Sequence, residues 1–170
     1  DEEGYGNTLE VTPAPGAKLE LDGIVPRGTL MSAACGVCGR RSIDDLLARG
    51  YSDLTVLDVS DAALAKSRRR LGSDAGRVAW IAADITTWHP PRAYNVWHDR
   101  AVFHFLTGPE PQAAYLAALR AGTAAGSTVV MATFALDGPD SCSGLPVQRY
   151  SPQTLAARLG FHHVYAPATP

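Results

Sequence analysis

The stretch from Thr29 to Ser60 constrains the fold of this chain more than any other. It reads TLMSAACGVCGRRSIDDLLARGYSDLTVLDVS, which is a β-rich run, a turn bearing glycine, a helical pattern and a second β-rich run. Asp58 closes the second run, 19 positions after Gly39. Glycines at a helix N-terminus, followed about 20 positions later by an acidic residue, are typical of the nucleotide-binding half of a doubly wound sheet. We therefore predict a nucleotide-type pocket here, although two cysteines stand among the glycines.

The composition and net charge limit the classes of partner that the chain is expected to bind. The chain has 170 residues and 46% hydrophobic content, which suits one sizeable core rather than two. A net charge of -2 offers no basic field for nucleic acid or for an anionic membrane. The apolar runs are too short to span a bilayer, which takes about 18 or more residues. We expect a small-molecule partner, no nucleic acid and no membrane.

The cysteines indicate the cellular compartment. The chain contains 3 cysteines, an odd number that includes one close pair. This usage favours thiols in a reducing cytosol over a disulfide framework, so we expect a cytoplasmic protein. The N-terminal DEEGYGN is acidic and resembles neither a signal peptide nor an intact translation start, which suggests a fragment or a fusion product.

Periodicity and turn residues predict alternating strands and helices. The predicted strands cover residues 54–59, 78–82, 94–97 and 127–134, and the predicted helices cover 43–49, 62–71, 112–121 and 152–159. Ser42 and Asp45 form a capping box, Gly50 suits the helix end, and Ser60 or Asp61 caps the next helix. The alternation predicts a mostly parallel α/β sheet with helices on both faces. The run 127–134 is predicted to be the longest strand and buried on both faces.

From about residue 46 to residue 160 the chain resembles the class I S-adenosylmethionine-dependent methyltransferases. The resemblance lies in LLARGYSDLTVLDVS, VAWIAADITTW, YNVWHDRAVFHFLT and STVVMATFALDGPDSCSGLPVQRYS, and WHDRAVFHFL is similar to a small-thiol-methyltransferase-like bacterial branch. It implies a Rossmann-like sheet that binds S-adenosyl-L-methionine. The implied cofactor contacts are Asp58, at the ribose hydroxyls, Asp84 and Ile85, at the adenine edge, and Val59.

By the same resemblance, His98 and Asp99 border the methyl-transfer site just after the fourth strand. The implied reaction methylates a small soft nucleophile such as a thiol. Transfer from a sulfonium needs an aligned nucleophile and a dry pocket more than covalent catalysis. His98, with an ordinary pKa of about 6.5, is a candidate to take the proton of the nucleophile.

From about residue 6 to residue 45 the chain resembles a different family, the formate dehydrogenase accessory sulfurtransferases. GTLMSAACGVCGRRSIDD matches their strand and Cys-Gly-x-Cys-Gly loop. In that family the loop relays sulfur from a cysteine desulfurase to the molybdenum cofactor of formate dehydrogenase, so the implied sulfur carriers are Cys35 and Cys38. The adjacent Arg40 and Arg41, together with a helix N-terminus, favour reactive thiolates.

The two resemblances meet in SIDDLLARG and predict a chimera. Residues 1–45 form a β-rich sulfurtransferase segment, and residues 46–170 form a truncated methyltransferase domain. Gly36 and Gly39 remain as cofactor-loop glycines, but the cysteines beside them and Asn95, where an acidic residue is common, weaken the cofactor site. If residues 29–34 pair beside residues 54–59, the sulfurtransferase segment supplies the first strand.

Each candidate site residue also has a structural explanation. Asp58 caps the helix after Ser60, and an aspartate after a strand, such as Asp84, is an ordinary turn residue. For His98 and Asp99, the alternative to a catalytic role is a structural ion pair with Arg100.

The remaining histidine and cysteine candidates are weaker. His104 stands in an apolar run and is expected to be a buried, hydrogen-bonded histidine. Cys35 and Cys38 would supply two of the four ligands that a tetrahedral zinc site needs. No second Cys or His pair lies at suitable spacing, so we expect no metal. Cys142 is expected to be a loop residue without a redox role.

Overall fold

The computed structural model describes the backbone of residues 29–32 and, beyond it, residues 43, 46–47, 50–100 and 102–160. Its main sheet contains β1 (Thr29–Ser32), β2 (Leu54–Asp58), β3 (Val78–Ala82), β4 (Val96–Arg100) and β5 (Thr128–Ala132). The strand order is β3-β2-β1-β4-β5, and every neighbouring pair is parallel. The α/β prediction with a mostly parallel doubly wound sheet is confirmed.

Strand β1 occupies the middle of this sheet. Thr29 pairs with Leu54 of β2 on one side and with Val96 of β4 on the other. The condition stated above, that residues 29–34 pair beside residues 54–59, is met by Thr29–Ser32. A strand from the sulfurtransferase-like segment therefore lies inside the sheet built by the methyltransferase-like segment.

Within residues 50–160, three α-helices accompany the sheet: α1 (Asp61–Leu71), α2 (Pro109–Ala121) and α3 (Pro152–Leu159). The Ser60 hydroxyl accepts a hydrogen bond from the Ala63 amide at 3.2 Å and so caps α1, one of the two predicted alternatives. Ser151 caps α3 through the Thr154 amide at 3.1 Å. Helix α2 begins at Pro109, three residues before the predicted start at Gln112, because proline suits a first helical position.

A further helical turn precedes β2. Ile43, Leu46 and Leu47 have helical backbone, and Gly50 follows with a φ of 88°. The Tyr51 amide donates to the Leu46 carbonyl at 3.0 Å and the Gly50 amide to the Leu47 carbonyl at 3.1 Å, which is the Schellman pattern. Gly50 ends the helix as predicted, whereas the capping box at Ser42 and Asp45 lies outside the described residues.

Apolar clusters cover both faces of the sheet, so the prediction of helices on both sides is confirmed. In-register parallel strands point equivalent residues to the same face, and alternate residues to the other. The first cluster contains Ile43, Leu47, Leu54, Val56, Leu64, Leu71 and Val78. The second cluster includes Leu57, Trp97, Phe103, Tyr115, Leu119, Met131, Tyr150 and Leu155, and so brings α2 and α3 onto the sheet.

Two strand predictions need correction. β4 covers Val96–Arg100 rather than residues 94–97, because the Tyr94 amide turns aside to the Gly122 carbonyl at 2.8 Å. His98 and Asp99 therefore lie within the strand rather than after it. β5 covers Thr128–Ala132, is no longer than its neighbours and is mostly half-buried, because it forms one edge of the described sheet.

A short hairpin between β5 and α3 was not predicted. Its strands are β6 (Ser141–Cys142) and β7 (Leu145–Pro146), and they pair antiparallel. Ser143 and Gly144 form the two-residue connection with φ values of 52° and 78°. Positive φ at both central residues is what a type I′ hairpin turn requires. Cys142, predicted to be in a loop, lies in this hairpin.

None of the described helices is long and apolar enough to cross a membrane. The short strands expected in the N-terminal appendage, around residues 8–21, and anything after residue 160 lie outside the described residues.

The contact between Gly122 and Trp97 gives a stability prediction. A Cβ at Gly122 would lie 2.6 Å from Cζ3 of the fully buried Trp97. We expect Gly122→Ala to lower the free energy of unfolding by about 1–3 kcal/mol, the usual cost of overpacking a core. Urea unfolding followed by circular dichroism measures the change.

The matched control is Gly76→Ala, because a Cβ there meets nothing within 4 Å. This variant should stay within about 0.5 kcal/mol of the unmodified protein, as surface substitutions usually do. Equal effects of the two substitutions would contradict the packing described around Trp97.

Candidate functional site

A cavity of about 440 Å³ lies beyond the carboxyl ends of β2, β3 and β4. Ligands of open α/β sheets bind at this edge. The residues that line the cavity come from four segments that follow strands: Leu57, Asp58 and Val59; Ala83, Asp84 and Ile85; Val102, Phe105 and Leu106; and Ser143 and Leu145. Four of these were predicted to bind a cofactor, namely Asp58, Val59, Asp84 and Ile85.

Asp58 is the last residue of β2 and is buried. One of its carboxylate oxygens accepts a hydrogen bond from the Ser60 amide at 2.8 Å. Burial raises the pKa of Asp58, and the bond from Ser60 partly opposes that shift. The side chain thus supports the turn before α1 and also lines the cavity.

The other three predicted cofactor residues line the same cavity in different ways. Val59 is 69% exposed and lines the cavity. Asp84 accepts hydrogen bonds from the amide and the hydroxyl of Thr86 at 2.8 and 2.7 Å. It therefore also acts as an ordinary turn residue, which was the structural explanation given for it above. Ile85 is buried at the cavity wall.

Asp99 is fully buried on the α2 side of the sheet. Its carboxylate accepts hydrogen bonds from the Tyr115 hydroxyl at 2.6 Å and from the amides of Val102 and Phe103 at 3.0 and 3.2 Å. The Tyr115 hydroxyl in turn accepts from Nε1 of Trp97 at 3.0 Å. Desolvation raises the pKa of Asp99 to about 6, although the three hydrogen bonds that its carboxylate accepts lower the pKa. Asp99 thus anchors the segment after β4, two of whose side chains line the cavity.

His98 points to the opposite face of β4 from Trp97 and Asp99, because successive side chains of a strand alternate. Its Nδ1 is buried without a hydrogen-bond partner. Burial lowers the pKa of His98, and the charge of Arg100 lowers it further, so the neutral imidazole is favoured near pH 7. Neither His98 nor Asp99 is among the described residues that line the cavity.

The loop that carries Cys35, Gly36, Cys38 and Gly39 lies outside the described residues, so the roles of these four stay predictions. Within the described ranges, no cluster of three or more His, Cys, Asp or Glu side chains is placed to hold a metal ion.

His104 is buried, as expected, with 3% of its surface exposed. Neither of its ring nitrogens has a hydrogen-bond partner, which contradicts the expectation of a hydrogen-bonded histidine. Its ring packs instead against Phe105 and Phe134, with centroid separations of 4.3 and 5.0 Å. Burial lowers the pKa of His104 to about 4, so the ring is neutral at physiological pH.

Sequence reasoning missed seven lining residues, namely Val102, Phe105, Leu106, Leu57, Ala83, Ser143 and Leu145. The first three belong to an apolar run that reads equally well as core. The last two belong to SCSGLP, in which the Ser-Gly pair is a turn signal that marks a hairpin when short strands flank it.

Solved structures share this fold. The chain is similar to the *Burkholderia thailandensis* 1,6-didemethyltoxoflavin-N1-methyltransferase, with 20% identity, a TM-score of 0.61, and coverage of 79% of this chain and 59% of that chain. It is also similar to DhpI in a complex described as DhpI-SAM-HEP, with 17% identity, a TM-score of 0.60, and coverage of 78% and 68%. The fold is that of the class I S-adenosylmethionine-dependent methyltransferases.

Part of the chain is similar to a second class of protein. The sulfur carrier proteins FdhD of *Anaeromyxobacter* sp. strain K and *Anaeromyxobacter dehalogenans* strain 2CP-1 are each 50% identical to it over 50 residues. The match covers 28% of this chain and 17% of each of those proteins. No protein-family model matches the sequence. The chain thus shares the methyltransferase fold and, over 50 residues, is similar in sequence to the sulfur carriers.

The raised pKa of Asp99 predicts a pH-dependent contribution to stability. The folded state holds the proton more tightly than the unfolded state, whose pKa is near 3.8. The contribution of Asp99 is therefore fully present below about pH 4 and is lost as the pH rises through about 6. Asp99→Asn keeps an acceptor for the Val102 amide but cannot ionise. Its stability relative to the unmodified protein should rise by about 2 kcal/mol between pH 4.5 and pH 7.

Urea unfolding of both proteins at several pH values measures this difference. The difference isolates Asp99, because the shifted groups Asp58, His98 and His104 are present in both proteins. A difference that does not change with pH would contradict the buried, raised-pKa carboxyl.

Proposed function

We propose that this protein binds S-adenosyl-L-methionine and transfers its methyl group to a small soft nucleophile. The observation that carries the proposal is the position of Asp58, a buried carboxylate at the carboxyl end of β2 that lines the cavity. Similar structures are described as complexes with (S)-adenosyl-L-methionine or S-adenosylhomocysteine, which supports the same ligand class here.

The residues present fit such a cofactor. The Asp58 carboxylate is an acceptor for the ribose hydroxyls, and the Asp84 carboxylate is an acceptor at the adenine edge. Val59 and Ile85 offer apolar surface for a purine ring, and the exposed Val59 side chain gains burial when a ring covers it. The cavity volume of about 440 Å³ lies within the usual range of roughly 300–1,000 Å³ for ligand pockets. In this proposal Gly36 and Gly39 give the backbone of the first loop close access to the cofactor.

When bound, the cofactor supplies an electrophilic methyl group on a sulfonium. The contribution of the protein is then to hold the acceptor in line with that group and to exclude water. In this proposal the proton of the acceptor passes to His98, whose neutral form can accept it, although His98 is not among the described residues that line the cavity. The contacts of Asp99 favour a supporting role, in which it fixes the segment after β4 that forms one cavity wall.

A thiol is the proposed acceptor. The support is the resemblance of WHDRAVFHFL to the small-thiol-methyltransferase-like branch. One similar structure is described as an N1-methyltransferase, so nitrogen is the competing acceptor element. Methylation of a panel of small thiols and amines by radiolabelled cofactor distinguishes the two.

Cofactor binding is tested by isothermal titration with S-adenosyl-L-methionine. We expect binding by the unmodified protein and at least a tenfold loss in Asp58→Asn, which keeps an acceptor for Ser60 but removes the charge that strengthens the ribose hydrogen bonds. Asp61→Asn is the matched control, because Asp61 is exposed in the first turn of α1 and does not line the cavity. An unmodified protein that gives no binding heat refutes the proposal.

A second function is proposed for the cysteine pair: sulfur transfer of the FdhD type. Its support is the 50% identity to FdhD sulfur carriers over 50 residues and the sequence match around CGVCG. Cys35 and Cys38 are the proposed carriers, with a cysteine desulfurase as sulfur donor and formate dehydrogenase as recipient. On this proposal residues 1–45 and 46–170 are two fused segments, and Thr29–Ser32 of the first joins the sheet of the second. An inactive fusion remnant is the remaining alternative.

Sulfur loading is tested with a cysteine desulfurase and cysteine, followed by mass spectrometry of the intact chain. We expect a persulfide, an addition of one sulfur atom of about 32 Da, because a thiolate attacks a donor persulfide and releases the donor thiolate. Cys35→Ser should lose it, whereas Cys142→Ser, the matched control in the β6–β7 hairpin, should keep it. A chain that stays unmodified rejects this second function.

A further inference from the structure

The cavity has two chemically different sides. Asp58 and Asp84 follow β2 and β3, whereas Val102, Phe105 and Leu106 follow β4. β1 lies between β2 and β4, so the segments after β2 and β4 stand about two strand spacings, or about 10 Å, apart along the sheet edge, and the segment after β3 lies one spacing farther away. The β2–β3 side thus carries both carboxylates together with aliphatic side chains, whereas the lining residues after β4 are all apolar.

The hairpin of β6 and β7 contributes to the lining. Leu145 lines the cavity although 57% of its surface is exposed. Ser143 lines it as well, and is the described non-glycine residue with a positive φ, of 52°. Such backbone strain costs free energy and persists where surrounding contacts determine it.

Three hydrogen bonds hold the base of this hairpin. The Val147 amide donates to the Asp140 carbonyl at 3.0 Å, which closes the hairpin. The Gln148 amide donates to the His104 carbonyl at 2.7 Å, which ties the hairpin to the segment after β4. Arg149 donates from Nη1 to the Gly138 carbonyl at 2.9 Å. These three hydrogen bonds therefore hold the hairpin, and with it Leu145, at the cavity.

The charges of the lining restrict what binds there. The described lining residues include two carboxylates and no cationic side chain. An anionic acceptor would lie in the same cavity as two carboxylates, and none of the described lining residues would compensate its charge; burial of an unpaired charge is costly. A neutral molecule with an apolar body gains from contact with Leu106, Phe105 and Leu145.

We propose that the β6–β7 hairpin and the segment after β4 form the acceptor subsite, that the acceptor is an uncharged molecule with an apolar body, and that Leu145 determines this specificity. This inference rests on the proposed methyl transfer, since it names the acceptor of that reaction. The cofactor occupies the carboxylate side, and the acceptor occupies the apolar side.

The test uses two thiols of the same shape and different charge. Phenylmethanethiol is neutral, and 4-(mercaptomethyl)benzoate adds a carboxylate to the same ring. Each is titrated into the full chain at pH 7 with saturating S-adenosylhomocysteine, and binding is read by saturation-transfer NMR. We expect the neutral thiol to bind at least tenfold more tightly than the charged one.

Leu145→Asp should weaken binding of the neutral thiol about tenfold and leave the affinity for S-adenosylhomocysteine within twofold. Leu136→Asp is the matched control, because Leu136 is equally exposed, at 58%, and does not line the cavity. It should change neither affinity. Circular dichroism verifies that both variants are folded, and Leu145→Ser is the milder substitute if Leu145→Asp is not.

The outcomes separate the two proposals. Absence of S-adenosylhomocysteine binding by the unmodified protein refutes the proposed function and the subsite with it. Cofactor binding without binding of the neutral thiol, or equal binding of both thiols, refutes the subsite alone. Equal effects of the Leu145 and Leu136 substitutions also refute it. A loss of S-adenosylhomocysteine affinity in Leu145→Asp would assign the hairpin to the cofactor.

Discussion

The parallel pairing of Thr29–Ser32 with two neighbours is the interaction on which the rest of the fold depends. β1 pairs with β2 along one edge and with β4 along the other. Without it, the β2–β3 pair and the β4–β5 pair would be separate two-stranded pieces, which are marginal alone. With it, the carboxyl ends of β2, β3 and β4 come to one edge and enclose a cavity. The segment that resembles a sulfurtransferase is thus part of the methyltransferase-like sheet.

The wall of the cavity after β4 depends on a buried carboxyl group. Asp99 binds the amides of Val102 and Phe103 and the hydroxyl of Tyr115, which connects this wall to β4 and α2. The arrangement has an electrostatic cost, seen in the raised pKa of Asp99. An ionisable residue in a strand can therefore shape a ligand pocket from the core side without lining it. This explains how a motif that resembles a catalytic segment includes a structural aspartate.

Sequence patterns predicted the elements whose ends carry local signals. Gly50 and Ser60 fixed helix ends because a positive φ and a capping hydroxyl act over a few residues. The predicted boundaries of β4 were wrong, because they depend on distant partners such as the bond from the Tyr94 amide to the Gly122 carbonyl. Four of the cofactor candidates do meet in one cavity, because parallel strands end at one edge. The contribution of Leu145 depends on how a hairpin packs over the sheet, which no periodicity encodes.

The central claim is that an S-adenosyl cofactor binds at the carboxyl ends of β2 and β3. Hydrogen–deuterium exchange, measured by peptide mass spectrometry with and without S-adenosylhomocysteine, tests it most directly. The account predicts slower exchange in peptides that contain residues 57–60 and 83–86, and unchanged exchange in α3. Absence of binding, or protection that leaves both of these segments unchanged, would contradict it.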